Sequence, residues 1–233
     1  MRLHAGVEYI ENGMVNSIRA MQVQTHLIGI SNENVSGFDK VGYQRKEAVI
    51  SSFKEYLGPD GISTAVDDKV GRINVSLSPL DWALGGKGYF QVRNRDGVRL
   101  TRDGRFKLDK NGYLLALDDS KVLSNTGNAI KFKHLPEKME DIKVDSKGKI
   151  TALNRNTNKM EFEGYVGVVS TNGAAVIDPK VKQGYNEYSN VRLETEFMGM
   201  MPIIRNFDAN RQIYMIESQN LTKAISQLGS VNS

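Results

Sequence analysis

Residues 194–228 read ETEFMGMMPIIRNFDANRQIYMIESQNLTKAISQL, and this stretch decides the fold. Its apolar side chains recur at alternating spacings of three and four residues, at Phe197, Met200, Ile204, Phe207, Tyr214, Leu221, Ile225 and Leu228. Arg211 and Ser218 occupy the two other positions of that series. With eight apolar residues in ten positions, the stretch has the heptad pattern of a helix that packs along another helix.

The opposite end of the chain carries a second, looser helical pattern over residues 5–30, with apolar side chains at Val7, Ile10, Met14, Ile18, Met21 and Ile28. Gly13 and Gly29 interrupt this pattern, and each glycine weakens a helix by about 1 kcal/mol relative to alanine. Such a helix is marginal in isolation and needs a packing partner. We therefore predict that the two terminal helices pair as a coiled coil.

Between the helices, turn signals divide the chain into short segments. Asp-Gly and Asn-Gly pairs, which supply the positive φ angles of tight hairpins, occur at Asp96-Gly97, Asp103-Gly104, Asn111-Gly112 and Asn172-Gly173. Residues 89–92, 106–108 and 165–169 are rich in aromatic and β-branched side chains and predict strand cores. Short strands separated by regular turns are typical of an antiparallel sheet or a barrel-like body.

These patterns predict an α+β protein in which a central, mainly antiparallel β body separates the paired helices. The expected divisions are an N-terminal helix and turn at 1–45, a linker at 46–61, the β domain at 62–188 and a C-terminal helix at 189–233. Pro202 is awkward, because a proline inside a helix costs about 3 kcal/mol. The C-terminal helix is therefore expected either to start near Pro202 or to bend there.

Composition excludes several classes of protein. The net charge of +4, from 31 basic and 27 acidic residues, is too small an excess to indicate a nucleic-acid partner. The absence of cysteine excludes disulfides, thiolate metal sites and cysteine nucleophiles. The sequence contains no run of 18 apolar residues, so it predicts no membrane-spanning helix. The first 14 residues lack the apolar centre of a secretory signal, so we expect export, if any, by another route.

The sequence offers no motif that indicates an enzyme. Gly85-Gly86-Lys87-Gly88 lacks the spacing of a phosphate-binding loop and precedes a strand pattern, which favours a tight turn. The three histidines are too scattered to predict a zinc site. Thr101-Arg102-Asp103-Gly104 is interpreted as a hairpin turn with a charged rim. We predict no catalytic residue, cofactor, metal site, nucleic-acid partner or small-molecule substrate.

Three ordered blocks carry a more specific signal. The first block, near the N-terminus, is NVSG at 34–37 followed by VGYQR at 41–45. The third block, near the C-terminus, contains SNV at 189–191, EFM at 196–198 and RNFDAN at 205–210. The second, PLDWALGGKGYFQV at 79–92 with LTRDGRF at 100–106 and NGYL at 111–114, is similar to the motifs LDxAIxGxGFFxV and YTRDGxF. In this order, the blocks resemble the rod and hook axial proteins of the bacterial flagellum.

The resemblance implies that the terminal helices pack into a tubular core and that the β body decorates its outside. It also identifies motif residues that shape turns, at Asn34, Gly42, Tyr43, Gly86, Gly88, Asp103 and Gly104. The implied function is that of a structural subunit of the basal-body rod, which transmits torque for motility. Its implied partners are copies of itself, other rod proteins and the flagellar type III export apparatus. Its implied location is the basal body in the periplasm, reached without a signal peptide.

The short chain and residues 122–127 favour a proximal rod protein within this family. A distal rod or hook-like member is the first alternative. A periplasmic wall-binding or wall-cleaving protein with a β core is an alternative of a different class, since the sequence does not show which carboxylates lie close together in space. A third alternative is an adaptor that binds a partner's helix without polymerising.

Overall fold

The computed structural model describes the backbone of residues 2–51 and 58–231, and the side chains of residues 13–51 and 60–228. The chain divides into two compact units. The helical unit comprises Met1–Ser36, Lys46–Val66 and Arg192–Ser233, and the β unit comprises Gly37–Arg45 and Asp67–Val191. The chain is an α+β protein with a helix at each end and an antiparallel β body, as predicted.

Helix α1 spans Arg2–Gly37 and helix α2 spans Leu193–Val231. Helix α1 therefore continues through residues 31–37. The predicted helix ends at residue 30, because these seven residues are mostly polar. Helix α2 begins nine residues before Pro202 and contains it, so a start near Pro202 is wrong. The Pro202 nitrogen cannot donate to the carbonyl of Met198, four residues earlier, but its ring lies on the exposed side of the helix. No described helix is long and apolar enough to cross a membrane.

A two-stranded antiparallel hairpin completes the helical unit. Strand β1, Lys46–Ile50, pairs with strand β2, Ile62–Val66, so that Lys46 lies opposite Val66. The predicted linker at 46–61 thus begins with a strand and ends with a single 3₁₀ turn at Gly58–Gly61.

The β unit contains thirteen short strands, and all their pairings are antiparallel. They are β3 Ile73–Val75, β4 Trp82–Leu84, β5 Tyr89–Arg93, β6 Val98–Thr101, β7 Phe106–Leu108, β8 Leu114–Ala116, β9 Lys121–Val122, β10 Ile142–Val144, β11 Lys149–Asn154, β12 Lys159–Tyr165, β13 Val168–Val169, β14 Val181–Gln183 and β15 Tyr185–Glu187. One sheet has the order β13-β5-β9-β8-β7 with β6 on β5, and another has the order β10-β11-β12. Strand β14 pairs with β4, and β15 pairs with β3.

Three aromatic side chains lie at the centre of the β unit. Phe106 meets Trp82 edge to face at 5.1 Å between ring centroids, and meets Phe90 in the same way at 5.2 Å. Trp82 and Phe90 are fully buried. Such pairs contribute about 0.5–1.5 kcal/mol beyond their area of burial. The strand cores predicted at 89–92 and 106–108 are therefore correct because their aromatic residues face this cluster.

The turn glycines follow the prediction with one exception. Gly97, Gly112 and Gly173 have positive φ angles, as their Asp-Gly or Asn-Gly pairs predict. Gly104 is the exception, because its φ angle is not positive. A glycine is required there for a steric reason, since a Cβ would overlap the carbonyl oxygen of Trp82.

Candidate assembly surface

Helices α1 and α2 lie side by side in opposite directions. Near one end, the Asn34 Nδ2 donates to Glu196 Oε2 at 3.3 Å. Near the other, a Cβ built on Gly13 would lie 3.0 Å from Glu217 Oε1. The residue numbers of the two pairs, 34 with 196 and 13 with 217, both add up to 230. A constant sum is the register of an antiparallel pair.

The covered face of α2 follows a strict heptad. Its less exposed residues recur at spacings of three and four, at Leu193, Glu196, Met200, Ile203, Phe207, Asn210, Tyr214, Glu217, Leu221 and Ala224. Met200, Phe207, Tyr214 and Leu221 of the predicted seam lie on this face. The alternate positions are Glu196, Ile203, Asn210, Glu217 and Ala224, each one place before a position of the series expected from the sequence.

The other half of the predicted seam is exposed. Phe197 is 53% exposed, Ile204 40%, Ile225 61% and Leu228 47%. Met201 and Met215 beside them are about equally exposed. Helix α2 therefore carries a second apolar stripe, adjacent to the covered face and interrupted at Arg211 and Ser218, that the described side chains of α1 do not cover. Exposed apolar surface of this extent usually marks an interaction site.

Helix α1 turns mostly small or polar residues toward its covered side. The less exposed positions there include Gly13, Ser17, Ala20, Gln24, Leu27, Ser31 and Asn34. Met14, Met21 and Ile28 of the predicted seam are half-buried beside them, whereas Ile18 is 38% exposed. Val7 and Ile10 lie outside the residues whose side chains are described.

A groove of about 520 Å³ opens on the helical unit where α1 meets the middle of α2. It is lined by Ile18, Met21, Gln22, Thr25 and His26 of α1 and by Phe207 of α2. Its lining combines three apolar side chains, those of Ile18, Met21 and Phe207, with the polar side chains of Gln22, Thr25 and His26.

Asn34 joins three elements of the helical unit. Its Oδ1 accepts from the Lys46 N–H at 2.8 Å, and its Nδ2 donates to the Lys46 carbonyl at 2.9 Å. The Asn34 amide thus makes with β1 the pair of hydrogen bonds that a neighbouring strand would make. Its hydrogen bond to Glu196 connects it to α2 as well. Asn34 is 1% exposed. Beside it, the hydrogen bond from Lys46 Nζ lowers the pKa of Glu33.

The β unit is organised around a buried ion pair that the sequence does not reveal. Arg102 Nε donates to Glu187 Oε2 at 2.8 Å, and the two side chains are 1% and 2% exposed. The Arg102 Nη atoms donate to the carbonyls of Leu84, Gly86 and Gly88 at 3.2, 2.8 and 2.7 Å. Burial raises the pKa of Glu187, and the nearby Arg102 opposes that shift.

The interpretation of residues 101–104 as a charged rim is therefore wrong for Arg102. It holds for Asp103, which is partly exposed and pairs with Arg105 at 2.7 Å. Arg102 and Glu187 are 85 residues apart, so no local pattern could have joined them.

Motif residues from separate blocks meet around this pair. The Gly42 N–H donates to the Glu187 carbonyl at 2.7 Å, and Gly42 has a φ of +72° with no room for a Cβ against the Asp103 backbone. Gly86 and Gly88 supply the carbonyls that bind Arg102. The ring of Tyr43 packs against Gly37, where a Cβ would overlap it. These motif residues let separate segments of the backbone approach one another closely.

The described residues contain no group of three or more side chains that could hold a metal ion.

A helix at each end of the chain and a β body built around these motifs are the features that a resemblance to the flagellar rod and hook axial proteins implies. The comparisons confirm that resemblance. The family described as "Flagellar hook protein FlgE/F/G D1 domain" matches residues 83–152, which include strands β5 to β10.

Several flagellar basal-body rod proteins are similar over most of their length. FlgG of Bacillus subtilis is 25% identical, with 91% of this chain and 96% of the relative aligned. FlgF of Rhizobium meliloti is 25% identical, with 94% of this chain and 99% of the relative aligned. FlgF of Mesorhizobium japonicum is also 25% identical, over 86% of this chain and 89% of the relative.

Proposed function

We propose that this chain is a structural subunit of the flagellar basal-body rod, of the proximal type, which polymerises through its terminal helices. The similarity to rod proteins over nearly the whole chain supports the rod assignment. The observation that supports polymerisation is the exposed apolar stripe of α2. Its apolar side chains lie between Phe197 and Leu228, about 46 Å along a helix that rises 1.5 Å per residue, with Arg211 and Ser218 interrupting the row.

A stripe of this length is costly in water and favourable in an interface. Burying apolar surface stabilises an association by about 25 cal/mol per Å² before the costs of association are subtracted. Within the described part of the helical unit, Ile30 and Ile62 are the only buried large apolar side chains. The unit therefore has a small core of its own, and its helices gain most of their packing, including completion of the coiled coil, when other copies cover them.

The proposed role is mechanical. The relatives are named for the rod of the basal body, and a helical core of interlocked subunits would pass torque along its axis. The proposed partners are further copies of this chain, other rod proteins and the flagellar type III export apparatus. The proposed location is the basal body in the periplasm, reached without a signal peptide. The rod relatives support a structural rather than an enzymatic role.

The test is a chromosomal deletion followed by electron microscopy of the cell envelope, with the wild-type gene returned as the control. We expect basal bodies that stop at a short or missing rod, without hook or filament. Intact rods and hooks in the deletion strain would contradict the proposal and favour an adaptor or a wall-binding protein.

A further inference from the structure

Two apolar features of the helical unit are uncovered and differ in shape. The ridge consists of Phe197, Met201 and Ile204, which are 53%, 53% and 40% exposed. Their spacing of four and three residues places them on one face of α2. The groove is the one lined by Ile18, Met21, Gln22, Thr25, His26 and Phe207, with a volume of about 520 Å³.

The ridge and the groove match in length and in character. The ridge extends over eight residues, from 197 to 204, and the α1 wall of the groove extends over nine, from Ile18 to His26. The two are therefore about 10 and 12 Å long. Rows of side chains at spacings of three and four residues are also the rows that fill the grooves of neighbouring helices.

Resting on the proposed function, we propose that the ridge of one copy occupies the groove of the next copy. The occupant is a second copy because the chain itself carries both complementary surfaces, and because its relatives are subunits of a rod. The contact joins two different surfaces, so each added copy leaves one ridge and one groove free. Head-to-tail contacts of this kind build open helical filaments unless the rotation between copies closes them into a ring.

Disulfide trapping tests the contact directly, because the chain has no cysteine of its own. Full-length Met201→Cys places a thiol on the ridge and Gln22→Cys places one at the groove. We expect an equal mixture of the two variants to give cross-linked dimers on mild oxidation, and either variant alone to give few. The chain that carries both substitutions should give a ladder of higher oligomers.

Met198→Cys is the matched control for the ridge, since Met198 is 76% exposed on the same helix but lies off the ridge. Mixed with Gln22→Cys, it should cross-link at least about tenfold less. Efficient cross-linking of Met201→Cys with itself would overturn the proposal, as would a double variant that stops at dimers. So would trapping of a different protein at both positions in cells.

Charge substitutions test whether the two surfaces work as a pair. Ile204→Glu should disable the ridge and Ile18→Glu the groove, each lowering self-association at least about tenfold. Each variant keeps one working surface, so the two mixed together should form one-to-one complexes. Unchanged self-association of either variant, with Trp82 fluorescence and helical circular dichroism intact, would sink the idea.

The outcomes separate this inference from the proposed function. If the deletion strain lacks rods while ridge and groove variants still assemble, the chain is a rod subunit and the contact is elsewhere. If the deletion strain keeps its rods, the rod assignment fails, whatever the cross-linking shows.

Discussion

At the scale of single residues, Asn34 shows how one side chain can hold three elements. Its amide makes two hydrogen bonds to the Lys46 backbone and one to Glu196. All three bonds are shielded from water, since Asn34 is 1% exposed. A buried polar group that loses its partner costs about 1–3 kcal/mol. The residue thus stabilises the helical unit out of proportion to its size.

Asn34→Ala should weaken the helical unit by about 1–3 kcal/mol, because the Lys46 N–H and carbonyl lose their partner. Hydrogen exchange of the Lys46 amide, measured by mass spectrometry or NMR, should accelerate. Asn32→Ala, an exposed neighbour on the same helix, is the control and should leave that exchange unchanged. Equal protection of Lys46 in both variants would show that Asn34 does not hold the strand.

Arg102 is the corresponding residue of the β unit. Arg102→Met should destabilise that unit by about 3–5 kcal/mol, because it leaves the buried Glu187 carboxylate without its cation and three carbonyls without a donor. Urea unfolding followed by the fluorescence of Trp82, the only tryptophan, measures this unit.

Arg99→Met is the matched control for Arg102→Met. Arg99 pairs with Asp118 on the surface, where an ion pair contributes about 0–1 kcal/mol. A midpoint for Arg102→Met equal to that of Arg99→Met would mean that the buried pair is not needed for stability.

At the scale of elements, Gly104 decides whether β4 and the segment before β7 can approach each other. The Trp82 N–H donates to the Gly104 carbonyl at 2.9 Å, and a Cβ on Gly104 would overlap the Trp82 carbonyl oxygen. Gly104→Ala should therefore prevent the β unit from reaching its native packing, and Trp82 fluorescence should report an exposed indole. Gly86→Ala is the control, because its Cβ would meet neighbours only at 4.0 Å. Native-like fluorescence of Gly104→Ala would refute the steric argument.

The pairing of α1 with α2 makes a separate prediction. Phe207→Asp places a charge on the covered face of α2, where it should abolish assembly and lower the helical circular dichroism. The β unit should keep its wild-type unfolding midpoint by Trp82 fluorescence. Gln212→Asp, on the exposed side of the same helix, should assemble normally. Motile cells that carry Phe207→Asp would contradict the proposed role of this face.

The sequence predicts the elements better than their partners. Apolar periodicity identifies both helices, and turn glycines with aromatic runs identify the strands around Trp82 and Phe106. The end of α1 is missed because Asn34 finds its partners 12 and 162 residues away. The apolar stripe of α2 is visible in the sequence, but the side that α1 covers depends on contacts such as that of Asn34 with Glu196. Local pattern carries no information about that choice.

At the scale of the whole molecule, the two units should unfold separately. The β unit has a continuous core of buried side chains, whereas few large apolar side chains are buried in the described helical unit. Noncoincident transitions are the mark of unfolding that is not two-state. We expect the helical signal at 222 nm to decay at a lower temperature than the Trp82 signal. Superimposed transitions at all protein concentrations would show that the units unfold together.

The antiparallel pairing of α1 with α2 also has a consequence for timing. Asn34 and Glu196 are separated by 162 residues, and Gly13 and Glu217 lie still farther apart along the chain. A chain of 233 residues made at about 5–20 residues per second takes roughly 10–50 s to complete. Throughout that time the first helix has no partner to meet, and pairings between distant segments form slowly even afterwards. The newly made chain therefore has an interval in which its two ends are still apart and the pairing of its terminal helices has not yet formed.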